Sequence, residues 1–378
     1  MTFIASLKLH NFRCYSSAAL EDLSSGLIVL YGPNGAGKTN ALEAVSLLSP
    51  GRGLRGAKNL EIQCQSQGDA WAVAAKLQTD YGSVKLGTGL DGATEKRVVR
   101  INGENARGQN ALAEHMACVW LTPQMDRLFL DSSSHRRRFL DRLVFAFDPG
   151  HSGRVTRYEN AMRQRSKLLQ EGGADPAWLE GLEGQMAETG AAISAARLDF
   201  TARLQAACDS SPSEYFPLAH LKATGTIEEL LESSSALEVE EMFKYSLVQS
   251  RQQDGLRGGA ATGPHKSDLA VRYAEKNMAA DQCSTGEQKA LLIGIIMAHA
   301  KLIEAERGAP PILLLDEVAA HLDETRRAAL YDLLIGLGGQ VWLTGTDQNL
   351  FSAIENRAQF FEVRNSQLQP ASQNRSAA

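Results

Sequence analysis

The chain has 378 residues, 43% of them apolar, and a formal net charge of −5 at pH 7. At a soft prior of about 150 residues per domain this length predicts two or three units, and the apolar content is enough for a hydrophobic core. The acidic balance argues against indiscriminate nucleic-acid binding, because duplex affinity comes mostly from neutralised phosphates, and no apolar run approaches the ~18 to 20 residues of a membrane span.

The N-terminal residues predict a strand, then a second strand, a turn and a helix. Met1–Leu9 already has the pattern of a strand, so we expect no targeting leader. The apolar run Gly26–Tyr31 predicts a buried strand, and Asn40–Val45 predicts a helix. The segment between them has the complete P-loop pattern in its strand–loop–helix context, and its residues are Gly32, Pro33, Asn34, Gly35, Ala36, Gly37, Lys38 and Thr39.

This P-loop pattern predicts a site for ATP. Its glycines let successive backbone amides point at phosphate oxygens, and the start of the helix adds partial positive charge. We expect Lys38 to reach the β- and γ-phosphates and the Thr39 hydroxyl to hold Mg²⁺. A glycine-rich turn without a ligand is the alternative, which the complete eight-residue pattern makes the weaker interpretation.

A basic loop and a hairpin-rich region follow the P-loop helix. Residues 51–58 are rich in glycine and carry the cations Arg52, Arg55 and Lys58. Residues 70–103 predict an antiparallel sheet, because small and large side chains alternate in Ala-Trp-Ala-Val at residues 70–73 and Asn102-Gly103 is a hairpin turn signal.

The middle of the chain predicts a short helical hairpin. Residues 153–170 and 177–208 have helical patterns, and Gly172–Pro176 breaks them, with Asp175 as the cap of the second helix and Pro176 as its first residue. The second helix would be about 48 Å long at ~1.5 Å per residue.

Positive charge is concentrated near this hairpin. Residues 135–170 contain nine Arg or Lys and three Asp or Glu, a net of +6. Such a stretch favours contact with the backbone of duplex DNA, and little aromatic interleaving is present to stack on bases. A solvated helix face is the alternative interpretation.

Two acids near the end of the chain complete the predicted ATP site. Ile312–Leu315 is an all-apolar run typical of a central parallel strand, and Asp316 and Glu317 follow it directly. We expect Asp316 to order Mg²⁺ and Glu317 to polarise the attacking water. Open α/β sheets bind ligands at the carboxyl ends of their strands, so the P-loop and this pair should meet there. A solvated acidic turn is the alternative.

Residues 284–288, with the sequence Ser-Thr-Gly-Glu-Gln, open a long helical pattern at residues 289–304. Taken alone, Ser284 and Glu287 have the spacing of a capping box, and helix capping is the better explanation. The segment also resembles the signature motif of ABC-type ATPases, in which Ser and Gly amides of a second subunit clasp the γ-phosphate. That resemblance implies that Ser284, Gly286 and Gln288 contact ATP held by another copy of the chain.

Further segments narrow the resemblance to the RecF family and its SMC-like relatives. They are the opening strand at residues 7–13, the Arg-Arg-x-Phe-Leu-Asp block at 136–141, the Gly-Pro-His segment at 262–269, and residues 318–330 after the acid pair. The resemblance implies an α/β fold: an ABC-type ATPase head, with a mixed sheet around the P-loop and a flanking antiparallel sheet, and a helical second lobe that contains the short hairpin.

The implied organisation has four parts. We expect ATPase lobe I at residues 1–125, a helical lobe II with the basic DNA-binding region at 126–280, the C-terminal part of the ATPase at 281–364, and a disordered tail at 365–378.

The resemblance also assigns roles to single residues near the ATP. Gln124 suits the metal- and water-sensing glutamine of ABC ATPases. Transporter ATPases carry a switch His after the strand that corresponds to residues 340–343, whereas this chain has none, so we expect Thr344 or Asp347 to sense the γ-phosphate and turnover to be slow. His265 is either a sensor or catalytic base or, the favoured alternative, a hydrogen-bonded structural residue. His321 lies either at a dimer interface or in an exposed turn.

The implied function is that of an ATP-dependent DNA-binding protein of replication and recombinational repair, acting in response to DNA damage and in the SOS response. ATP would join two copies into a clamp on duplex DNA near gaps and single-strand/double-strand junctions, helping to load recombinase beside RecO- and RecR-like mediators. The protein would be a weak, DNA-stimulated ATPase. The residues expected to contact DNA are Arg136, Arg137, Arg138, Arg142, Arg52, Arg55 and Lys58.

Two other functions stay open at this stage. One is the nucleotide-binding subunit of a transporter, which the missing switch His, the absent LSGGQ consensus and the basic insertion oppose. The other is a structural DNA-binding protein that holds ATP without turnover. The five cysteines have no C-x-x-C spacing, so structural zinc is not expected, and we expect a soluble protein in a reducing cytoplasm without membrane partners.

Overall fold

The computed structural model describes residues 2–64, 70–92, 94–172, 175–211 and 213–371. Its strands are β1 (Phe3–Phe12), β2 (Tyr15–Leu20), β3 (Leu27–Tyr31), β4 (Ala72–Thr79), β5 (Gly82–Leu90), β6 (Arg97–Ile101), β7 (Glu104–Asn105), β8 (Cys118–Leu121), β9 (Ala219–Thr224), β10 (Asp268–Tyr273), β11 (Met278–Ala279), β12 (Ile312–Leu315), β13 (Val341–Gly345), β14 (Ala358–Arg364) and β15 (Gln367–Pro370). Its α-helices are α1 (Lys38–Ser46), α2 (Ser133–Phe145), α3 (His151–Glu171), α4 (Pro176–Asp209), α5 (Thr226–Leu231), α6 (Ala236–Arg257), α7 (Thr285–Arg307) and α8 (Glu324–Gly336).

The chain divides into two compact units. Unit 1 comprises Met1–Met125 and Ala300–Ala378, and unit 2 comprises Asp126–His299. The first division coincides with the predicted boundary between residues 125 and 126. The second lies at residue 299 and not at the predicted 280, because α7 begins in unit 2 and ends in unit 1. The segment 284–288 therefore belongs to unit 2.

The central sheet of unit 1 has the strand order β15-β14-β3-β13-β12-β8. All neighbours from β14 to β8 pair in parallel, and β15 pairs antiparallel with β14 at the edge. Every residue of β12 and β13 is buried. This burial explains why those strands are almost wholly apolar, since a parallel sheet is normally covered on both faces.

A second sheet of unit 1 is antiparallel, with the order β2-β1-β4-β5-β6-β7. The predicted turn at Asn102-Gly103 is confirmed: it joins β6 to β7, and both residues have positive φ (52° and 92°), as a two-residue type I′ hairpin requires. Side chains of this sheet share one core with the helix that follows β3. In that core Phe12 packs edge-on against Trp71, with ring centroids 5.8 Å apart.

The predicted disordered tail at residues 365–378 is wrong for the part that the structure describes. Residues 367–370 form β15, whose Leu368 lies opposite Val363 of β14 and packs against the core of unit 1. The edge of a sheet offers unpaired backbone groups, and a short polar strand can satisfy them without a strong hydrophobic pattern. Residues 372–378 of the predicted tail lie outside the described residues.

Unit 2 combines a helical bundle with the small antiparallel sheet β11-β10-β9. The predicted hairpin is confirmed as α3 and α4, and the Asp175 carboxylate caps α4 by accepting a hydrogen bond from the amide of Ala177. A third helix, α6, packs against both through Val239, Phe243 and Leu247. None of the helices within the described ranges is long and apolar enough to cross a membrane.

An ion network joins these three helices, in which Arg165, Glu183 and Asp254 are buried and Arg251 is partly exposed. Arg165 of α3 donates to Glu183 of α4 at 3.0 Å, to Asp254 of α6 at 2.8 Å and to the backbone oxygen of Leu247 at 2.6 Å. Arg251 donates two further hydrogen bonds to Glu183. The two cations and two carboxylates balance, so each buried charge is compensated.

Replacing the central cation should destabilise unit 2. Arg165→Met removes one buried partner and leaves carboxylates facing an apolar side chain, which costs about 3–5 kcal/mol of unfolding free energy. The matched control is Lys167→Met on the same helix, where a 74% exposed ammonium pairs only with Glu171 and should contribute little. Chemical denaturation measures both variants, and equal stability of Arg165→Met and the wild type would contradict the assignment.

Candidate functional site

The loop at residues 32–37 connects β3 to α1 through conformations that favour glycine. Gly32, Gly35 and Gly37 have φ values of 151°, 78° and 118°. A Cβ at Gly37 would lie 2.6 Å from the Tyr15 hydroxyl, and one at Gly32 would lie 2.2 Å from a backbone oxygen of β14. The Tyr15 hydroxyl also donates to the oxygen of Gly37 at 3.0 Å. Neighbouring strands therefore shape the loop and exclude larger residues from it.

Lys38 is the first residue of α1, and its side chain folds back over the loop. Its ammonium donates to the backbone oxygens of Gly32 at 2.8 Å and Pro33 at 3.0 Å. Burial lowers the Lys38 pKa, and the carboxylates of Glu317 and Asp316 act in the opposite direction. The Lys38 Nζ lies 3.9 Å from Glu317 Oε1. The cation thus sits between the loop and the acid pair.

The register of the central sheet brings Asp316 to the P-loop helix. Leu315 of β12 lies opposite Leu343 of β13, so the next residues, Asp316 and Thr344, are adjacent. The Thr344 hydroxyl donates to Asp316 Oδ1 at 2.8 Å and accepts the amide of Glu317 at 2.8 Å. Thr39 Oγ1 lies 2.9 Å from both carboxylate oxygens of Asp316. The predicted meeting of P-loop and acid pair is therefore present.

The oxygens of Thr39 and Asp316 fit a magnesium ion. Two ligands at right angles, each about 2.0–2.1 Å from an octahedral Mg²⁺, lie about 2.9 Å apart. This is the separation between Thr39 Oγ1 and the Asp316 carboxylate. Across the described ranges no group of three or more His, Cys, Asp or Glu is arranged to hold a metal. The site thus suits an ion that keeps most ligands from water and phosphate.

Glu317 and Gln124 lie at the same edge of the sheet. Glu317 has a left-handed backbone conformation (φ 53°, ψ 21°), which is uncommon for a residue other than glycine and often marks a functional position. Its side chain is 30% exposed. Gln124 is exposed in the turn Pro123–Arg127, directly after β8. The catalytic role of Glu317 and the metal- and water-sensing role of Gln124 stay predictions.

The segment 284–288 forms the capping box that its spacing predicts. The Glu287 carboxylate accepts the amide and hydroxyl of Ser284, both at 2.8 Å, and the Glu287 amide donates to the Ser284 hydroxyl. An ion pair with Lys276, followed by the Ser284 bonds, lowers the Glu287 pKa to about 2. Ser284 is exposed and Gly286 is half-buried, so the start of α7 is accessible within unit 2.

Gln288 does not fit its predicted contact with ATP. Its side chain is buried, and its amide donates to the backbone oxygen of Cys283 at 2.8 Å. The sequence pattern does not reveal this because Gln288 stands between the polar residues Glu287 and Lys289. Its side chain instead fixes the turn that precedes α7.

Two of the predicted DNA contacts are occupied within the protein. Arg136 forms a bidentate ion pair with Asp268 at 2.7 and 2.8 Å and also donates to two backbone oxygens, which corrects its expected role. Arg55 donates to Asn40 at 2.7 Å and to the buried carboxylate of Glu43 at 3.3 Å, but its side chain is 36% exposed, so its contact with DNA stays a prediction. Asp268 lies 132 positions from Arg136 in sequence, so the local pattern could not reveal this ion pair.

The remaining predicted cations differ in exposure. Arg52, Lys58 and Arg138 are exposed, and Arg142 is half-buried with its guanidinium 5.4 Å from the ring centroid of Phe139. Arg137 is partly buried and donates to Ser133 and to the backbone oxygen of Ser267. DNA contact by these five residues stays a prediction.

The structure also shows the surroundings of His265 and of the two residues expected to sense the γ-phosphate. His265 accepts the Tyr158 hydroxyl at Nδ1 and donates from Nε2 to the oxygen of Ala260, and burial lowers its pKa to about 4, so it is neutral and structurally bonded. Asp347 caps the turn Gln348–Ile354 by accepting the amide of Asn349. The side chain of His321 lies outside the described part of the chain. Thr344 was expected only as a possible sensor of the γ-phosphate, which stays a prediction. Its bonds to Asp316 and Glu317 were not predicted, because these partners follow another strand.

Comparison with known proteins decides the family. The family model described as "RecF/RecN/SMC N terminal domain" matches residues 3–369. The DNA replication and repair protein RecF of Rhizobium etli is 48% identical over 363 residues, covering 95% of this chain and 96% of that protein. Its counterpart in Mesorhizobium japonicum is 49% identical over 366 residues, covering 96% of each. The chain belongs to the RecF family.

Solved structures agree on the fold of this RecF-family protein. A structure of the recombination mediator protein RecF-ATPrS in the RecFOR pathway has a TM-score of 0.86 at 23% identity, and the match covers 98% of both chains. The Smc head domain of Pyrococcus furiosus, with an extended coiled coil and bound to the C-terminal domain of ScpA, has a TM-score of 0.53 at 15% identity and covers 98% and 96%. The predicted ABC-type ATPase head fold is confirmed.

Proposed function

We propose that this RecF-family protein is an ATP-dependent DNA-binding protein of replication and recombinational repair. The observation that carries the proposal is the juxtaposition of Thr39, Asp316, Thr344 and Glu317 around the P-loop. The names of the relatives, DNA replication and repair protein RecF, support the biological setting. A structure described as RecF-ATP supports ATP as the ligand.

ATP would replace contacts that the free P-loop makes with itself. The Lys38 ammonium is held by two backbone oxygens that neutralise none of its charge. Phosphate oxygens carry negative charge and would form stronger, charge-assisted hydrogen bonds with it. The loop glycines leave room for the backbone to approach the same phosphates. Lys38 is therefore preorganised for a triphosphate.

Hydrolysis would depend on Glu317 and on the residues that hold it. A bound Mg²⁺ would neutralise charge on the phosphates, with Thr39 and Asp316 as its protein ligands. Glu317 would orient the attacking water and accept its proton, and its partly exposed carboxylate is accessible for that role. Thr344 would fix both acids at once, because its hydroxyl bonds the Asp316 carboxylate and the Glu317 amide. Because these two bonds occupy the Thr344 hydroxyl, it is not available to contact the γ-phosphate in place of the missing switch His, and we propose that turnover is slow.

ATP would also join two copies of the protein. The exposed Ser284 and the half-buried Gly286 at the start of α7 would supply the second half of the pocket to ATP bound by another copy. The joined pair would grip duplex DNA near gaps and single-strand/double-strand junctions and help to load recombinase beside RecO- and RecR-like mediators. Hydrolysis, stimulated by DNA, would release it.

A DNA-binding scaffold that holds ATP without turnover is the second candidate. The absence of a His in residues 340–347, where a transporter ATPase has its switch, favours it. A transporter subunit is disfavoured because the relatives over nearly the whole chain are DNA replication and repair proteins. Measurement of ATP turnover separates the ATP-hydrolysing DNA-binding protein from the scaffold.

Changing Glu317 and Lys38 separately tests the enzyme assignment. Glu317→Gln should lower steady-state phosphate release by about 10²–10⁴-fold while ATP-dependent pairing and duplex binding persist, because the amide cannot accept the proton. Lys38→Ala should lose ATP binding and therefore pairing as well. Glu355→Gln, which changes an exposed acid of unit 1, is the matched control and should turn over like the wild type.

Phosphate release, sedimentation with ATP and Mg²⁺, and duplex binding provide the three readouts. Undiminished turnover in Glu317→Gln would remove it as the base. A wild type that stays monomeric with ATP and Mg²⁺, at unchanged DNA affinity, would end the clamp proposal. Pairing and DNA binding without any wild-type turnover would favour the scaffold.

Thr344→Val tests how the acids are positioned. Valine keeps the shape of threonine but removes the hydroxyl that bonds Asp316 and Glu317. Turnover should therefore fall by about 10–100-fold, and a higher Mg²⁺ concentration should be needed to saturate it. The control is Thr346→Val, whose hydroxyl is exposed one residue beyond β13. Equal magnesium titrations of phosphate release for both variants would refute the positioning role of Thr344.

A further inference from the structure

Unit 2 contains a cavity of about 140 Å³ among α2, α3, α4 and the loop before β10. Its volume is several times what one water molecule needs. Three arginines line it, namely Arg137, Arg138 and Arg197, together with the hydroxyl-bearing residues Ser134 and Tyr158. The nature of its ligand depends on which of these charges are already compensated.

Arg197 is fully engaged within the protein. Its guanidinium forms a bidentate ion pair with Asp141 at 2.8 and 2.9 Å and donates to the backbone oxygen of Pro264 at 2.7 Å. Asp141 also bonds His151 at 2.7 Å. The charges of Arg197 and Asp141 therefore compensate each other, and this ion pair forms a neutral wall of the cavity.

Arg137 has no such compensation. Its Nη1 donates to the Ser133 hydroxyl at 3.0 Å and to the backbone oxygen of Ser267 at 2.7 Å, and both acceptors are neutral. Within the described ranges no carboxylate lies at ion-pair distance from it. Burial, and then the charges of Arg197 and Arg138, lower its pKa, while the carboxylates of Asp268 and Asp141 act in the opposite direction. A partly buried cation beside like charges is unfavourable until an anion approaches it.

The rest of the lining leaves the cavity positive. Arg138 also lines the cavity and is exposed. The neutral His265 accepts the Tyr158 hydroxyl, so neither of these two rings supplies charge. Glu159, exposed on α3, is the acid of the lining that Arg197 does not neutralise. Two available cations face one exposed carboxylate, which favours a compact anion with several acceptor oxygens.

We infer that this cavity binds one phosphate group, with Arg137 and Arg138 as its donors. Arginine matches the geometry of phosphate oxygens through parallel N–H groups. This group is either a phosphate of the DNA backbone or a free phosphate ion. In the first case the inference rests on the proposed function and identifies one point of contact with DNA. Arg136 is excluded as a donor because Asp268 holds it.

The first arm of the test measures duplex affinity against salt with ATP and Mg²⁺ present. Arg138→Gln and Arg137→Gln should each weaken binding and reduce the slope of log affinity against log salt by about 0.9, the value of one phosphate contact. Glu159→Gln should strengthen binding. Arg257→Gln removes the same charge from an exposed position of α6 outside the cavity and is the matched control.

The second arm measures thermal unfolding with inorganic phosphate against chloride at equal ionic strength. It uses Lys38→Ala as background, which removes the P-loop cation. A phosphate-dependent rise in melting temperature should disappear in Arg138→Gln and Arg137→Gln but persist in Arg257→Gln. Arg137→Gln loses its bonds to Ser133 and Ser267 and could fold poorly for that reason alone. In that case Arg138→Gln and Glu159→Gln, which change exposed residues, still decide the test.

The outcomes separate the two sources. Loss in the DNA arm assigns the cavity to a backbone phosphate, and loss in the phosphate arm alone assigns it to a free phosphate. If Arg138→Gln and Glu159→Gln match the control in both arms, the inference is overturned while the proposed function stands. If the wild type binds no DNA, the proposed function fails and the phosphate arm still decides the cavity.

Discussion

The parallel alignment of β3, β13 and β12 is the constraint on which the site depends. It ends three strands at one edge, so that Thr39 and Asp316, separated by 277 positions in the chain, come within 2.9 Å. A slip of one residue in a strand would turn its side chains to the opposite face of the sheet. The geometry of the site therefore depends on the pairing of this sheet, and burial of the almost wholly apolar strands β12 and β13 stabilises that pairing.

Polar contacts between the two sheets of unit 1 reinforce the same alignment. Gln340, directly before β13, is buried and bonds the amide and oxygen of Ile4 in β1 and the oxygen of Ser24 before β3. Buried polar groups are costly when unpaired, so this side chain specifies which segments may lie together. At the other end of the strands Gly32 donates its amide to the oxygen of Gly345 at 3.2 Å. This bond fixes the start of the P-loop against the end of β13.

Local patterns predicted the parts of the protein whose physics is local. The P-loop glycines, the Asn102-Gly103 turn and the Ser284–Glu287 capping box each depend on a few neighbouring residues, and all three were found from the sequence. Other features depend on distant partners: Asp268 holds Arg136 from 132 positions away, and Thr344 acts on a neighbouring strand. Helix α6 was not predicted although Val239, Phe243 and Leu247 recur at helical spacing, because the surface that buries these side chains exists only once α3 and α4 have packed together.

The central claim is that ATP is bound jointly by two copies of the chain, and complementation between defective copies tests it most directly. Lys38→Ala removes the P-loop cation of one copy, and Ser284→Arg blocks the exposed start of α7 in the other. Each variant alone should be inactive in ATP hydrolysis. Mixed in equal amounts, they should recover up to about one half of wild-type turnover, because neither variant pairs with itself and each mixed pair has one intact pocket of two. No recovery from a mixture whose copies pair with ATP would contradict the shared pocket.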